Sequence, residues 1–333
     1  MPASTQFGFP KIHALDQWLL QKLLDTRQSD VLSRARYKFL RGIRRLRLAL
    51  SDPLVTFSVG ALPLCLPLSH EMPFYRKLFP EYSLNLGRVS SYVHRKYPDL
   101  FMIDVGANVG DSVAIVRSFC HPPILCIEGE PFFFQLLSGN TRGLPEIELE
   151  DTFIGAPGDS VGAVLTERGN ATVRLSSHPG IANICTLGAA LSRHPRFACA
   201  KLLKLDAEGF DCKILATETA FIRRSKPVLF FEYYPQACLA AGQEPLAVFP
   251  LLASLGYSPL LIYQNFGRYF MSLGLEQACT LTELHCFLAD RRGYCDVVAF
   301  HREDSDIAED LRAFEHAELQ RRITEGKGSP GAA

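Results

Sequence analysis

Phe101-Met102-Ile103-Asp104-Val105-Gly106-Ala107-Asn108-Val109-Gly110, continued by Asp111-Ser112, is the stretch that decides the fold. Phe101 to Val105 is a short apolar run with one acid near its end, the pattern of a buried parallel strand apolar on both faces. Gly106, Asn108 and Gly110 then mark a tight turn. From Asp111 the spacing becomes helical, with Val113, Ala114 and Val116 on one face. Asp111 and Ser112 are both residue types that cap helix N-termini. Strand, glycine turn and helix together bring backbone N–H groups up to a nucleotide-like ligand. Any tight strand-to-helix turn would share part of this pattern, so the neighbouring segments must decide.

The next apolar run, Ile124-Leu125-Cys126-Ile127-Glu128, ends in an acid 22 residues after Gly106. In nucleotide-binding α/β folds an acid at this point accepts the two ribose hydroxyls. Lys201 to Asp206 and Pro227 to Glu232 read as two further buried strands, each closed by an acid. Asp104, Glu128, Asp206 and Glu232 would then lie on one rim of an open parallel sheet, where ligands bind. A single strand-end acid more often just caps the following helix; four at successive strand ends fit that explanation less well.

Bulk composition sets outer bounds. A chain of 333 residues accommodates one large domain with an appendage, or two small domains. Lysine plus arginine and aspartate plus glutamate each number 35, so overall charge gives no pointer to nucleic acid. The ten cysteines include no Cys-x-x-Cys pair and none at zinc spacing from a histidine. Cys126, Cys199 and Cys212 lie in or beside apolar stretches, which suggests reduced thiols, a reducing compartment and a cytoplasmic protein. The start lacks a basic region followed by an apolar core, so no signal peptide is expected. Leu54 to Leu68 contains Pro63 and Pro67 and is too short to span a bilayer, so a soluble protein is expected.

On the N-terminal side, Leu15, Trp18, Leu19 and Leu23 suggest a first helix. Leu32 to Leu50 is amphipathic: Leu32, Ala35, Phe39, Ile43, Leu46 and Leu50 share one face. Arg34, Lys38, Arg41, Arg44, Arg45 and Arg47 occupy the other. Such a helix can lie on an anionic membrane or hold a phosphorylated substrate. The simpler expectation is a solvated helix packed on the domain by its apolar face. Residues 53–100 predict one or two edge strands and a helix from Leu84 to Tyr97, with His70 in a structural role.

On the C-terminal side, Ile147 to Ile154 predicts a third strand. Val161 to Leu165 with Ala171 to Leu175 predicts a two-stranded excursion, followed by a polar loop through His178. Leu246 to Leu255 reads as a helix, Tyr257 to Tyr263 as a strand, and Leu281 to Ala289 as a helix. Cys295 to Phe300 reads as a last strand, and a charged helix runs from Asp304 before a disordered tail. The expected organisation is an N-terminal extension over 1–98, a sheet domain over 99–303, and a C-terminal helix and tail over 304–333.

Asp104-x-Gly106-x-Asn108-x-Gly110 is not the G-x-G-x-x-G of dinucleotide folds; it resembles motif I of S-adenosylmethionine (SAM) methyltransferases. Taken with Ile127-Glu128-Gly129-Glu130-Pro131, Leu203-Lys204-Leu205-Asp206-Ala207-Glu208-Gly209-Phe210, Phe230-Phe231-Glu232 and Ile262-Tyr263-Gln264-Asn265-Phe266-Gly267, the chain resembles the FkbM family of SAM-dependent O-methyltransferases over about residues 100–300. Leu66-Pro67-Leu68-Ser69-His70 also looks like the lead-in of some members. Two positions depart from the family: Gly129 where proline is frequent, and Gln264 where aspartate is common.

The resemblance implies an α/β, Rossmann-like, seven-stranded class I methyltransferase sheet and methylation of a hydroxyl. Acceptors of such relatives are sugars, glycan or glycolipid units and polyketide-like natural products. Gly106, Asn108 and Gly110 would cradle the cofactor, Asp104 would orient that loop, and Glu128 would take the ribose. Asp206 would stand beside the transferring methyl, contacting cofactor and acceptor. Glu208 and Glu232 are further candidates for the base, and His178 is a loop candidate. Asp206, Glu208 and Glu232 could together hold a divalent cation; a metal-free carboxylate cluster is the simpler expectation. Lys204 is expected to face solvent or pair with a helix. Tyr233, Tyr234, Phe266 and Tyr269 could form an aromatic wall or belong to the core. The competing readings are a nicotinamide-dependent oxidoreductase on the same sheet and a non-catalytic SAM-binding protein.

Overall fold

The structure is a computed structural model that describes residues 12–27, 29–156, 161–167, 170–175 and 183–325. His178 and the tail from 326 lie outside the described residues. Strands are numbered in chain order: β1 Leu54–Val59, β2 Leu62–Pro67, β3 Met102–Val105, β4 Ile124–Glu128, β5 Ile147–Asp151, β6 Phe153–Ile154 and β7 Val161–Glu167. They continue as β8 Asn170–Leu175, β9 Ile184–Cys185, β10 Leu202–Leu205, β11 Val228–Tyr233, β12 Tyr257–Gln264, β13 Tyr269–Leu273 and β14 Cys295–His301.

An eight-stranded sheet in the order β13-β12-β14-β11-β10-β3-β4-β5 forms the centre. Strands β3, β4, β5, β10 and β11 are parallel, and β14 runs antiparallel between β11 and β12. The chain starts in mid-sheet at β3, builds outward through β4 and β5, then returns to lay β10 on the other side of β3. The order therefore reverses between β3 and β10, the switch point at which open α/β sheets bind ligands. This is the Rossmann-like α/β sheet, extended by one strand: β13 pairs antiparallel with β12 at the edge. The expected edge strands of residues 53–100 instead pair with each other, β1 against β2. The third strand is also shorter than expected, because the chain leaves the sheet at Thr152 and β6 pairs with β9.

Strand alternation sorts side chains between two cores. Met102, Cys126, Leu202, Phe230 and Phe300 enter one core, with Leu19, Leu23, Val55, Leu64, Val89 and Leu311 from the N- and C-terminal elements. Ile103, Leu125, Leu203, Phe231 and Val297 enter the other, with Leu191, Ile214, Phe249 and Leu284 from the helices beyond it. Asp104, Glu128, Lys204 and Glu232 follow the even-numbered positions. All four therefore point to the face that also carries the segment His70–Leu86.

The basic amphipathic helix spans Val31–Leu50, opened by a capping box between Asp30 and Ser33. Of the six residues expected to pack on the domain, Ile43 alone does so. Leu40 is its one buried residue, while Leu32, Phe39, Leu46 and Leu50 are exposed. Tyr37 and Leu48 pack inward, Arg44 donates to the carbonyls of Leu68 and Ser69, and Arg47 pairs with Asp16.

Candidate functional site

The carboxyl ends of β3, β4, β10 and β11 open into a cavity of about 250 Å³. Segment His70–Leu86 forms its opposite wall, and Phe153, Ile154 and Gly155 close the β4 side. The two loops at the switch point touch. A Cβ on Gly106 would stand 1.9 Å from the backbone oxygen of Asp206, and Gly106 has φ +75°, so glycine is required on both counts. Gly106 and Ala107 N–H donate to the Ile127 carbonyl, fixing the turn to β4.

Glu128 is 6% exposed and accepts from Asn108 N–H through Oε2 and from Glu130 N–H through Oε1, both at 2.8 Å. Burial pushes its carboxyl up to about 7 against the pull of those two donors. Asn108 is held at φ +46°, with its Oδ1 accepting from Val109 N–H and meeting His70 Nε2 at 3.2 Å. His70 Nδ1 accepts Met72 N–H, which leaves Nε2–H to donate to Asn108. Burial lowers the imidazole below its usual range, in keeping with a neutral ring. The structural role expected of His70 is thus located: it positions Asn108.

Asp104 does not line the cavity. It is fully buried, accepts from the Ser112 hydroxyl and pairs with Lys204 Nζ at 3.0 Å. Gly110 is likewise set back; at φ +87° it caps the helix Asp111–Arg117. Asp111 and Ser112 are therefore the first two helical residues, not caps.

Lys204 overturns its expected exposure. It is 6% exposed, directly opposite Asp104 in the β10–β3 register, and donates to the Gly106 carbonyl at 3.0 Å. Its ammonium also stands 3.5 Å from Asp206 Oδ2. Burial pulls the Lys204 pKa down, but Asp104 and Asp206 more than offset this and raise it above the ordinary lysine value.

Asp206, Glu208 and Glu232 all reach the cavity. The Asp206 side chain is half exposed, at 52%. Burial first, then Asp206 and Asp211, pushes Glu208 up to about 8. Burial and four neighbouring acids, Asp206 foremost, hold Glu232 well above the carboxylate range. Asp296 lies opposite Glu232 in the β11–β14 register and accepts from Asn85 Nδ2 at 2.7 Å. Burial raises it to about 7. Asp211, fully buried behind the cavity, is raised to about 7 by burial and Asp206. No group of three metal-ligating side chains has the arrangement to hold an ion among the described residues.

The aromatic wall is made by other residues. Tyr233 is buried in the opposite core and bonds to His285, Phe266 stacks on Phe79, and Tyr269 meets Tyr263 edge-on. Tyr75, Tyr82 and Tyr294 line the cavity instead, with Tyr234 behind Tyr294. Of the departures from the family pattern, Gly129 has a local cause: a Cβ there would stand 2.3 Å from the Phe153 ring, a cavity wall. Gln264 is exposed at the end of β12, and its neighbour Asn265 faces the cavity.

No protein-family model matches the chain, and no curated protein matches it. Among solved structures, similarity is found to the precorrin-6y C5,15-methyltransferase of Geobacter metallireducens GS-15. It is 12% identical over 61% of this chain and 80% of that one, with a TM-score of 0.32. The methyltransferase FkbM of Methylobacillus flagellatus KT is 14% identical over 57% of this chain and 54% of that one, with a TM-score of 0.31. TYW2 of M. jannaschii, solved in complex with AdoMet, is 10% identical over 75% of this chain and 85% of that one, with a TM-score of 0.38.

Proposed function

We propose that the chain is a SAM-dependent methyltransferase of FkbM type that methylates a hydroxyl of a sugar, glycan or glycolipid unit, or polyketide-like natural product. The observation that carries this reading is the pairing of Glu128 with the Gly106–Gly110 loop on one side of a cavity whose other side is crowded with carboxyls.

The donor set suits the cofactor. Each Glu128 oxygen accepts one backbone N–H and has a further lone-pair direction for a ribose hydroxyl. SAM, when bound, supplies the electrophilic methyl. Asp104 acts through Lys204 and Ser112 rather than by contact, holding β3 and β10 in register beneath the loop. Asp206 is the carboxylate assigned to take the acceptor proton, since it is open to the cavity and braced by Lys204. Glu208, Glu232 and Asp296 keep protons near neutral pH and so can donate as well as accept hydrogen bonds to a polyol. His70 is engaged at both ring nitrogens, so no proton step is given to it.

A nicotinamide cofactor is disfavoured by Asp111. A dinucleotide would bring its pyrophosphate to the N-terminus of the helix after β3. Here the first helical residue is itself an acid that lines the cavity.

The test is transfer of label from methyl-tritiated SAM to hydroxylated sugars, lipid-linked glycans and polyketides, with amines as a control class. Asp206→Asn should lower turnover by about 10²–10⁴-fold. Label carried only by amines would refute the hydroxyl assignment. Undiminished turnover in Asp206→Asn would remove that residue from the reaction, and hydride transfer from NADH without methyl transfer would overturn the whole reading.

A further inference from the structure

The helix Val31–Leu50 presents to solvent what an ordinary surface helix buries. Val31 is 77% exposed, Leu32 80%, Phe39 68%, Leu46 66% and Leu50 77%. At 3.6 residues per turn these five fall in one stripe. Arg34, Lys38, Arg41 and Arg45 run along one flank of the stripe and Arg36 along the other, all exposed. No acid occurs between Val31 and Leu50.

We propose that this face docks on an anionic phospholipid bilayer, with the helix lying in the plane of the interface. Three observations select that occupant. The helix is clamped from behind, by Leu40 in the core, Arg44 on the Leu68 and Ser69 carbonyls and Arg47 on Asp16, so the stripe is not a face awaiting closure onto its own domain. Its charge is of one sign: a second copy would set the five exposed cations against five, which opposes self-pairing, whereas lipid phosphates and carboxylates complement them. An apolar stripe bordered by arginine and lysine is the composition that inserts to headgroup depth. No helix among the described residues is long and apolar enough to cross a membrane, which leaves the in-plane arrangement.

Docking also bears on the cavity. Arg44 holds the carbonyls of Leu68 and Ser69, and the chain passes directly from there to His70 and Met72 in the cavity wall. A bilayer bound at the helix is therefore linked through Arg44 to the segment that closes the site. The inference does not depend on the reaction proposed above.

The test is flotation of the full chain with vesicles of phosphatidylcholine alone and of phosphatidylcholine with phosphatidylserine. The protein should float with the anionic vesicles only, and less as salt is raised. Phe39→Ser combined with Leu46→Ser should weaken partitioning by about tenfold or more through lost apolar insertion. Lys38→Glu with Arg41→Glu and Arg45→Glu should abolish it. All five side chains are exposed, so circular dichroism melting should match the parent and separate lost binding from lost folding. Absence of flotation in the folded parent would overturn the proposal, as would flotation indifferent to both variants. A dimer in sedimentation that Phe39→Ser/Leu46→Ser dissolves, without flotation, would assign the face to a protein partner instead.

Discussion

At one end of the cavity Glu128 meets two backbone N–H donors; at the other, Glu208, Glu232 and Asp296 crowd around Asp206, with Asn85 donating to Asp296. Burial raises the carboxyls at both ends, to about 7 at Glu128 and to about 8 at Glu208. What differs is what the protein supplies in return. The Asn108 and Glu130 amides hold Glu128 in one geometry. Lys204, which stands between the two ends, is divided between Asp104 and Asp206. A carboxyl held by donors recognises shape, whereas carboxyls crowded together exchange protons near neutral pH, the property acid–base work requires.

Replacing the cation that joins the two ends should have the largest effect. Lys204→Met leaves Asp104 buried without its partner and should cost about 3–5 kcal/mol, read as lost stability in urea unfolding. Adding Asp104→Asn should restore part of it. A fully additive double variant would mean that the two groups do not act as a pair.

Glu128→Gln comes next. It sets an amide NH₂ against a backbone N–H that now finds a carboxylate oxygen. The loss should be about 1–3 kcal/mol at acid pH, and it should shrink as pH rises from about 4.5 to 7, where the parent itself loses stability because the folded pKa of Glu128 is about 7.

Asp296→Asn should move stability the other way. The folded pKa of Asp296 is about 7, above the ordinary aspartate value of 3.8. Between those two values the native state holds a proton that the unfolded chain has lost, so stability falls as pH rises through the window and levels above about 7. The asparagine variant lacks that decline. It should gain stability at pH 8 and nothing at acid pH, visible in melting temperature against pH. If Glu128→Gln and Asp296→Asn shifted stability alike, the distinction between the two ends would fail.

Much of this was legible in the sequence because parallel buried strands advertise themselves. Each of β3, β4, β10 and β11 is an apolar run with an acid at or near its carboxyl end, and three of the four acids reach the cavity. Asp296 was missed because β14 is antiparallel, so its beginning lies at the rim and a search of strand ends passes it by. Lys204 was misread because a lysine in a strand ordinarily faces solvent. Only the register with Asp104 shows why this one is buried. Tyr233 failed as a wall residue because alternation sends it to the opposite face from Glu232, while Tyr75 and Tyr82 come from a proline-broken stretch with no period to read. For Val31–Leu50 the periodicity predicts the helix and its stripe, but not which side the rest of the chain covers.

The central claim is that the Glu128 end holds an adenosyl cofactor. Its most direct test is calorimetric titration of SAM and S-adenosylhomocysteine into the parent and Glu128→Ala. Micromolar binding by the parent, weakened about 100-fold in the variant by the loss of two charge-assisted hydroxyl bonds, is the predicted result. No binding by the parent, or equal binding by both proteins, would contradict it.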